Sequence, residues 1–234
     1  MADEVGVQLT AAQVARFERY LDLLLEANQS VNLTAVRDVG SIQRRHFLES
    51  LALGLRLSSH GLLPASVQLL DLGSGAGFPG LPLKIAWPGI DLTLLEATGK
   101  KARFLERTVV ELQLEHVRVL SARAETLGHQ TTLRESFDLT TARAVASLPS
   151  LIELALPFLK LSGRLAVVKG SRVDEELKAS MIALQLCGGH VVVQEQLTGN
   201  ARLRLVIVEK VAPTPTRFPR RPGMPAKRPL GSAG

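Results

Sequence analysis

The sequence predicts an α/β fold: a mostly parallel seven-stranded sheet with helices on both faces, an antiparallel C-terminal strand, and a helical cap in front. Three observations carry this. Two amphipathic helical patterns precede any strand. From Val67 onward, short apolar strands alternate with helices. The last two strands are separated only by "LTGNA", which reads as a hairpin loop.

The cap comes first. Residues 9–28 open on a capping box, Thr10 with Gln13, whose hydroxyl and amide each satisfy a free backbone N–H. Leu9 and Val14 stand where a hydrophobic staple would, and Phe17, Leu21, Leu24, Leu25 and Asn28 follow at helical spacing. A second helix is predicted over 41–57, with Phe47, Leu48, Leu51 and Leu55 inward and Arg44 and Arg45 outward. "SSHGLLPAS" reads as a linker. The chain thus divides into a cap over 1–60, a sheet domain over 61–211 and a tail over 212–234.

In the sheet domain the predicted strands are "VQLLDL", "IDLTLLEA", "VRVLSA", "FDLTTARA", "GRLAVVKG", "HVVVQEQ" and "RLRLVIVEK". The helices between them are "LPLKIAW", where Pro82 suits the first turn, "GKKARFLERTVVELQL" with Phe104, Leu105, Val109 and Leu112 inward, "SLPSLIELALPFL" and "DEELKASMIALQLCG".

Composition bounds the function. A chain of 234 residues with 46% hydrophobic content suits one medium domain with a sizeable core. It has no run of 18 apolar residues, and "MADEVGVQLT" does not read as a secretory leader. Cys187 is the single cysteine, and the scattered histidines form no ligand spacing, so neither a disulfide framework nor a metal site is expected. A cytoplasmic monomer is the expectation. The net charge of +6 sits almost wholly in the tail: Arg217, Arg220, Arg221, Lys227 and Arg228 have no acid among them, which leaves +1 for the rest. Such a segment either attracts a polyanion or simply stays solvated.

"LLDLGSGAGFPG", from Leu69 to Gly80, is the most informative stretch. A glycine-rich turn between the first sheet strand and a helix lies where open α/β sheets bind ligands. A nucleoside triphosphate loop needs a Gly-Lys-Ser/Thr ending, which is missing. Gly75, Gly77 and Gly80 match the G-x-G-x-x-G of dinucleotide loops, with Glu96 at the distance of a ribose-binding acid, so a nicotinamide-dependent oxidoreductase is one reading. Asp71, Gly73, Gly75 and Gly77 match the D/E-x-G-x-G-x-G of S-adenosylmethionine loops at every position. Asp71 favours the second match, because a carboxylate there repels a pyrophosphate yet supports a loop that receives an ammonium, directly or through water.

The wider pattern is specific. "LLDLGSGAGFPGLPLKI", "LLEATGKKARFLE", "SARAE", "TARAVASL", "VVKG" and "RFPRRPGMPAKRPL", with "NLTAVRD" and "RRHFLESL" earlier, resemble the bacterial ribosomal RNA small-subunit methyltransferase G (GidB) family over roughly residues 15–230. The resemblance implies a Rossmann-like class I methyltransferase fold. It also implies methyl transfer from S-adenosylmethionine to N7 of one guanine in 16S ribosomal RNA, within the 30S subunit. A noncatalytic protein that binds the same cofactor and docks on the ribosome is the rival reading. Methylation of a small molecule is a further one, disfavoured by the basic tail.

Carried over residue by residue, the resemblance assigns Asp71, Gly73, Gly75, Gly77 and Phe78 to the cofactor loop. Glu96, Ala97 and Thr98 fall at the ribose edge, Ala124 and Glu125 at the adenine, and Arg143 at the mouth between cofactor and RNA. Glu96 stands where the family commonly has Asp, and either carboxylate binds a diol. Arg44, Arg45, Lys100, Arg123, Lys169, Arg220, Arg221, Lys227 and Arg228 are the candidate RNA contacts, whereas His46 reads as structural. No catalytic base is assigned, because guanine N7 has no proton to remove. Aromatic residues are only 4% of the chain, so contacts to the backbone and shape of a folded RNA are expected rather than base stacking.

Overall fold

The structure, a computed structural model, describes residues 2–143, 145–197 and 202–231. Residues 198–201 of the predicted hairpin loop and the last three of the tail lie outside the described residues. The strands are β1 (Gln68–Leu72), β2 (Asp91–Glu96), β3 (Val117–Ser121), β4 (Phe137–Ala142), β5 (Leu159–Lys169), β6 (Gly189–Gln196) and β7 (Arg204–Lys210). They form one sheet in the order β3-β2-β1-β4-β5-β7-β6. β1 to β5 run parallel, and β7 runs antiparallel to both β5 and β6, as the sequence predicts. The strand order reverses between β1 and β4, which opens a crevice above their carboxyl ends.

The helices are α1 (Ala11–Val31), α2 (Val39–Ile42), α3 (Glu49–Ser59), α4 (Gly80–Ala86), α5 (Gly99–Glu111), α6 (Ala124–Leu127), α7 (Leu148–Ala155), α8 (Val173–Ala179), α9 (Met181–Cys187) and α10 (Met224–Lys227). Alternate residues of the buried strands feed two cores, as the two-residue period of a strand requires. Leu69, Leu92 and Leu94 face one core with α4, α5 and the cap, while Leu70, Leu72 and Leu95 face the other with α7 and α9. The cap helices therefore share a core with the sheet: Tyr20, Leu24, Ile42 and Leu57 are all fully buried in it.

Three elements depart from the sequence pattern. The second cap helix is α2 and α3 joined by a π-helical turn, Gln43–Leu48, which carries Arg44, Arg45 and His46. Such turns are frequent at functional sites. The inward face of α1 is Phe17, Tyr20, Leu23 and Leu24, with Leu21 and Leu25 only half-buried. The helix predicted after β5 is broken into α8 and α9 at Ser180, whose buried hydroxyl donates to the Glu176 carbonyl at 2.6 Å and competes with the helical ladder.

The basic tail folds back onto the sheet domain. Arg134 donates to the carbonyls of Thr214, Pro215 and Phe218, and Phe218 is buried in the second core. Glu153, fully buried on α7, accepts from Arg220 N and Nε at 2.8 Å each and from Nη2 at 2.6 Å. Ser150 Oγ donates to the Pro225 carbonyl at 2.7 Å. Removing Arg220 leaves a fully buried carboxylate without its counter-charge, so Arg220→Ala is expected to cost about 3–5 kcal/mol. The same variant should open the tail to trypsin. Denaturant unfolding and limited proteolysis check both, and wild-type behaviour in the two would show that the tail is held elsewhere.

Candidate functional site

The loop between β1 and α4 is shaped from beneath. Asp71 is fully buried: Oδ2 accepts from Gly80 N and Oδ1 from Thr141 Oγ1, each at 3.2 Å. Burial pushes its pKa up to about 6, against the pull of the Gly80 N–H and the Thr141 and Ser74 hydroxyls. Both oxygens are committed inside the chain, so Asp71 supports the loop rather than lining its outer face. The Leu95 carbonyl of β2 accepts from Gly73 N at 2.8 Å and Ser74 N at 3.0 Å, stitching the loop to its neighbour strand. Gly77 has a φ of +99°, and a Cβ there would lie 2.6 Å from the Tyr20 hydroxyl; Gly73, at +68°, would meet Val145 at 2.7 Å. Both positions require glycine for conformation and for space.

Glu96 ends β2 beside this loop. Its Oε2 accepts from Gly75 N at 2.9 Å and its Oε1 from Thr98 N at 2.7 Å. Ala97 and Thr98 are exposed at that edge. A carboxylate has about four lone-pair sites, so two remain for an incoming diol. At the end of β3, Ala124 and the buried Glu125 begin α6, and Glu125 Oε1 accepts from Gly223 N of the tail at 2.8 Å. The tail thus reaches the third strand end, a link with no signal in the sequence. The structure brings Gly73, Gly75, Glu96 and Glu125 to the carboxyl ends of three adjacent strands, β1, β2 and β3.

Phe78 and Arg143 turn toward the cap. The Phe78 ring is buried, stacked on His46 at 4.6 Å and on Tyr20 at 5.4 Å, with the Arg143 guanidinium 5.3 Å from its centroid. The cation that Phe78 meets is therefore Arg143. Arg143 Nη1 donates to the Arg45 carbonyl at 2.6 Å and pairs with Glu49 at 3.5 Å, and Nη2 donates to His46 Nδ1. His46 Nε2 then faces Thr34 Oγ1 at 2.8 Å. Burial, aided by Arg143, lowers the His46 pKa to about 4, so the ring is neutral and accepts from Arg143. Tyr20, which the sequence reading missed, donates to the Ala76 carbonyl within the glycine loop. The available signal was one: it is the chain's single tyrosine, a hydroxyl set in an apolar helical stripe.

The basic candidates separate by engagement. Arg44, Arg45, Lys100, Arg123, Arg221, Lys227 and Arg228 are exposed. Lys169 is mostly buried, donating to the Ala146 carbonyl and pairing with Glu176, each at 2.9 Å. Arg220 is held by Glu153 and also donates to the Arg228 carbonyl. Among the described residues no group of three or more His, Cys, Asp or Glu is placed to hold a metal. No described helix is long and apolar enough to cross a membrane.

The chain matches the GidB family model, described as rRNA small subunit methyltransferase G, over residues 13–205. The chain belongs to that family. The Ribosomal RNA small subunit methyltransferase G of Chloroflexus aggregans is 48% identical over 227 residues, 96% of this chain and 93% of that protein. The one from Roseiflexus castenholzii is 45% identical over 232 residues, 98% and 97% respectively. Solved structures agree on the fold. A SAM dependent methyltransferase from Aquifex aeolicus superposes with a TM-score of 0.55 at 18% identity, covering 74% of this chain and 99% of that one. A mutant of MtNAS in complex with S-adenosylmethionine superposes at 0.59 and 15%, covering 86% and 76%.

For this methyltransferase G chain the oxidoreductase reading fails on geometry. Gly80, the third glycine of the dinucleotide match, has its N–H on Asp71, and a Cβ there would meet Asp71 Oδ2 at 2.8 Å. The anion position at the start of α4 is filled by the chain's own carboxylate, where a pyrophosphate would have to sit. Glu96→Ala is expected to weaken S-adenosylmethionine binding roughly ten- to hundredfold, the worth of hydrogen bonds to a charged group. Calorimetric titration checks this, and unchanged affinity would remove Glu96 from the ribose edge.

Proposed function

We propose that this protein methylates N7 of one guanine in 16S ribosomal RNA, working as a monomer on the 30S subunit in the cytoplasm. The coarser statement follows from family membership: it is an S-adenosylmethionine-dependent ribosomal RNA methyltransferase. The residues present fit that cofactor. Glu96 is held by two backbone N–H groups with lone pairs left for a ribose diol, and Glu125 offers an acceptor near the next strand end.

Bound there, S-adenosylmethionine supplies an electrophilic methyl carbon whose bond to sulfur breaks as the new bond to nitrogen forms. Guanine N7 brings an in-plane lone pair and no proton, so the chain has no proton to take. Asp71 is enclosed, and His46 has both ring nitrogens committed to Arg143 and Thr34. What the chain supplies is placement: a loop fixed from below by Asp71, Tyr20 and the Leu95 carbonyl holds the ligand without rearranging, so little is lost in alignment. The base gains positive charge on transfer, which neighbouring carboxylates and RNA phosphates stabilise. The exposed cations Arg44, Arg45, Lys100, Arg123, Arg221, Lys227 and Arg228 are free to meet phosphates.

The single observation that carries the reading is the Gly75–Glu96 contact, which joins the glycine loop to a diol-binding carboxylate in a chain of this family. Labelled S-adenosylmethionine with 30S subunits that lack the modification tests it, with mass spectrometry of the digested RNA. One new 7-methylguanine in 16S RNA is expected. Cofactor binding with no transfer to any RNA would favour the noncatalytic rival.

A further inference from the structure

We propose that the cavity between the loop after β4 and α8 receives the target base, and that Glu175 reads the guanine edge opposite N7. This rests on the guanine-N7 reading above. The cavity measures about 470 Å³ and is lined by Val145, Ala146, Ser147, Arg172, Glu175 and Glu176. The groove is open to solvent, and its volume is of the size of a nucleoside. It lies above the carboxyl ends of β4 and β5, on the crevice side of the sheet.

One wall adjoins the glycine loop. Val145 packs on Gly73, where a Cβ would lie 2.7 Å from its Cγ2, and it is 37% exposed. The strand order β1-β4-β5 places α8 on the far side of the cavity from that loop. The walls are braced. Lys169 Nζ donates to the Ala146 carbonyl at 2.9 Å, and Glu176 Oε2 takes both Lys169 Nζ at 2.9 Å and Leu148 N at 2.7 Å. Glu176 is thus committed to holding the loop. Glu175 is not: it is exposed and among the described residues its carboxylate makes no hydrogen bond or ion pair, and the same holds for the exposed Arg172 guanidinium.

The chemistry of guanine matches this asymmetry. Its N1–H and 2-amino group are adjacent donors on the edge away from N7, and a carboxylate accepts from both at once. With that edge on Glu175, N7 faces the Val145 and Gly73 side. Adenine presents an acceptor at N1 instead, which the carboxylate repels. Arg172 offers its charge to the phosphate of the same nucleotide, a contact that positions without selecting sequence.

The test measures kcat/KM of the full chain, wild type, Glu175→Gln and Glu175→Ala, on unmodified 30S subunits with guanine at the target and on subunits with adenine there. A glutamine amide both donates and accepts, so it pairs with the N1 and 6-amino group of adenine. Glu175→Gln should lose roughly ten- to hundredfold on guanine while its guanine-to-adenine ratio falls at least as far. Glu175→Ala should lose on guanine without gaining on adenine, and both variants should keep wild-type S-adenosylmethionine affinity. An unchanged guanine-to-adenine ratio in Glu175→Gln overturns the proposal, as does wild-type rate on guanine. Wild-type protein that methylates a different base or atom overturns the guanine-N7 reading itself, a separate outcome visible before any variant is made.

Discussion

The structure depends on one buried carboxylate. Asp71 sits near the end of β1 with no exposure, and its two oxygens fix the start of α4 and the end of β4. A carboxylate in that place takes one of the free N–H groups of a helix start, that of Gly80, from within the protein. Its pKa, raised to about 6 by burial, shows what the position costs. In return the glycine loop above it has one shape, and the outer face of that loop is left to an external ligand.

The cap and the tail each reach the strand ends that carry the candidate site. From the cap, Tyr20 holds the Ala76 carbonyl, and the π-helical turn presents His46 and the Arg45 carbonyl to Arg143. Arg143 in turn covers Phe78, the residue after the last glycine of the motif. From the other side, Arg220 on Glu153 fixes the tail so that Gly223 meets Glu125. The cations of the basic tail therefore divide. Arg220 is consumed in folding, while Arg217, Arg221, Lys227 and Arg228 remain at the surface.

Local signals made the sheet and the loop legible. Strand period, helix period and the capping box at Thr10 are written within a few residues, and the antiparallel β7 follows from a short connection. The place of Glu96 beside the loop was legible for the same reason, at the end of a clear strand. What sequence could not show were pairings between distant residues. Tyr20 with Ala76, Arg143 with His46 and Gly223 with Glu125 are 56, 97 and 98 residues apart. Phe78, which the resemblance assigns to the cofactor loop, is enclosed by the cap, because the aromatic rings of Tyr20, His46 and Phe47 converge on it only in three dimensions. The π turn was likewise hidden, since its residues have ordinary helical composition.

The central claim is that Asp71 acts from beneath the loop and not on the ligand. Calorimetric titration of S-adenosylmethionine into Asp71→Asn and Asp71→Ala tests it most directly. Asparagine keeps an oxygen for the Gly80 N–H but carries no charge, whereas alanine leaves the Gly80 and Thr141 donors unpaired in a buried place. The account predicts affinity within a few-fold of wild type for asparagine and a loss of at least about tenfold for alanine. Equal losses in the two variants would contradict it, because the charge itself would then be what the ligand meets.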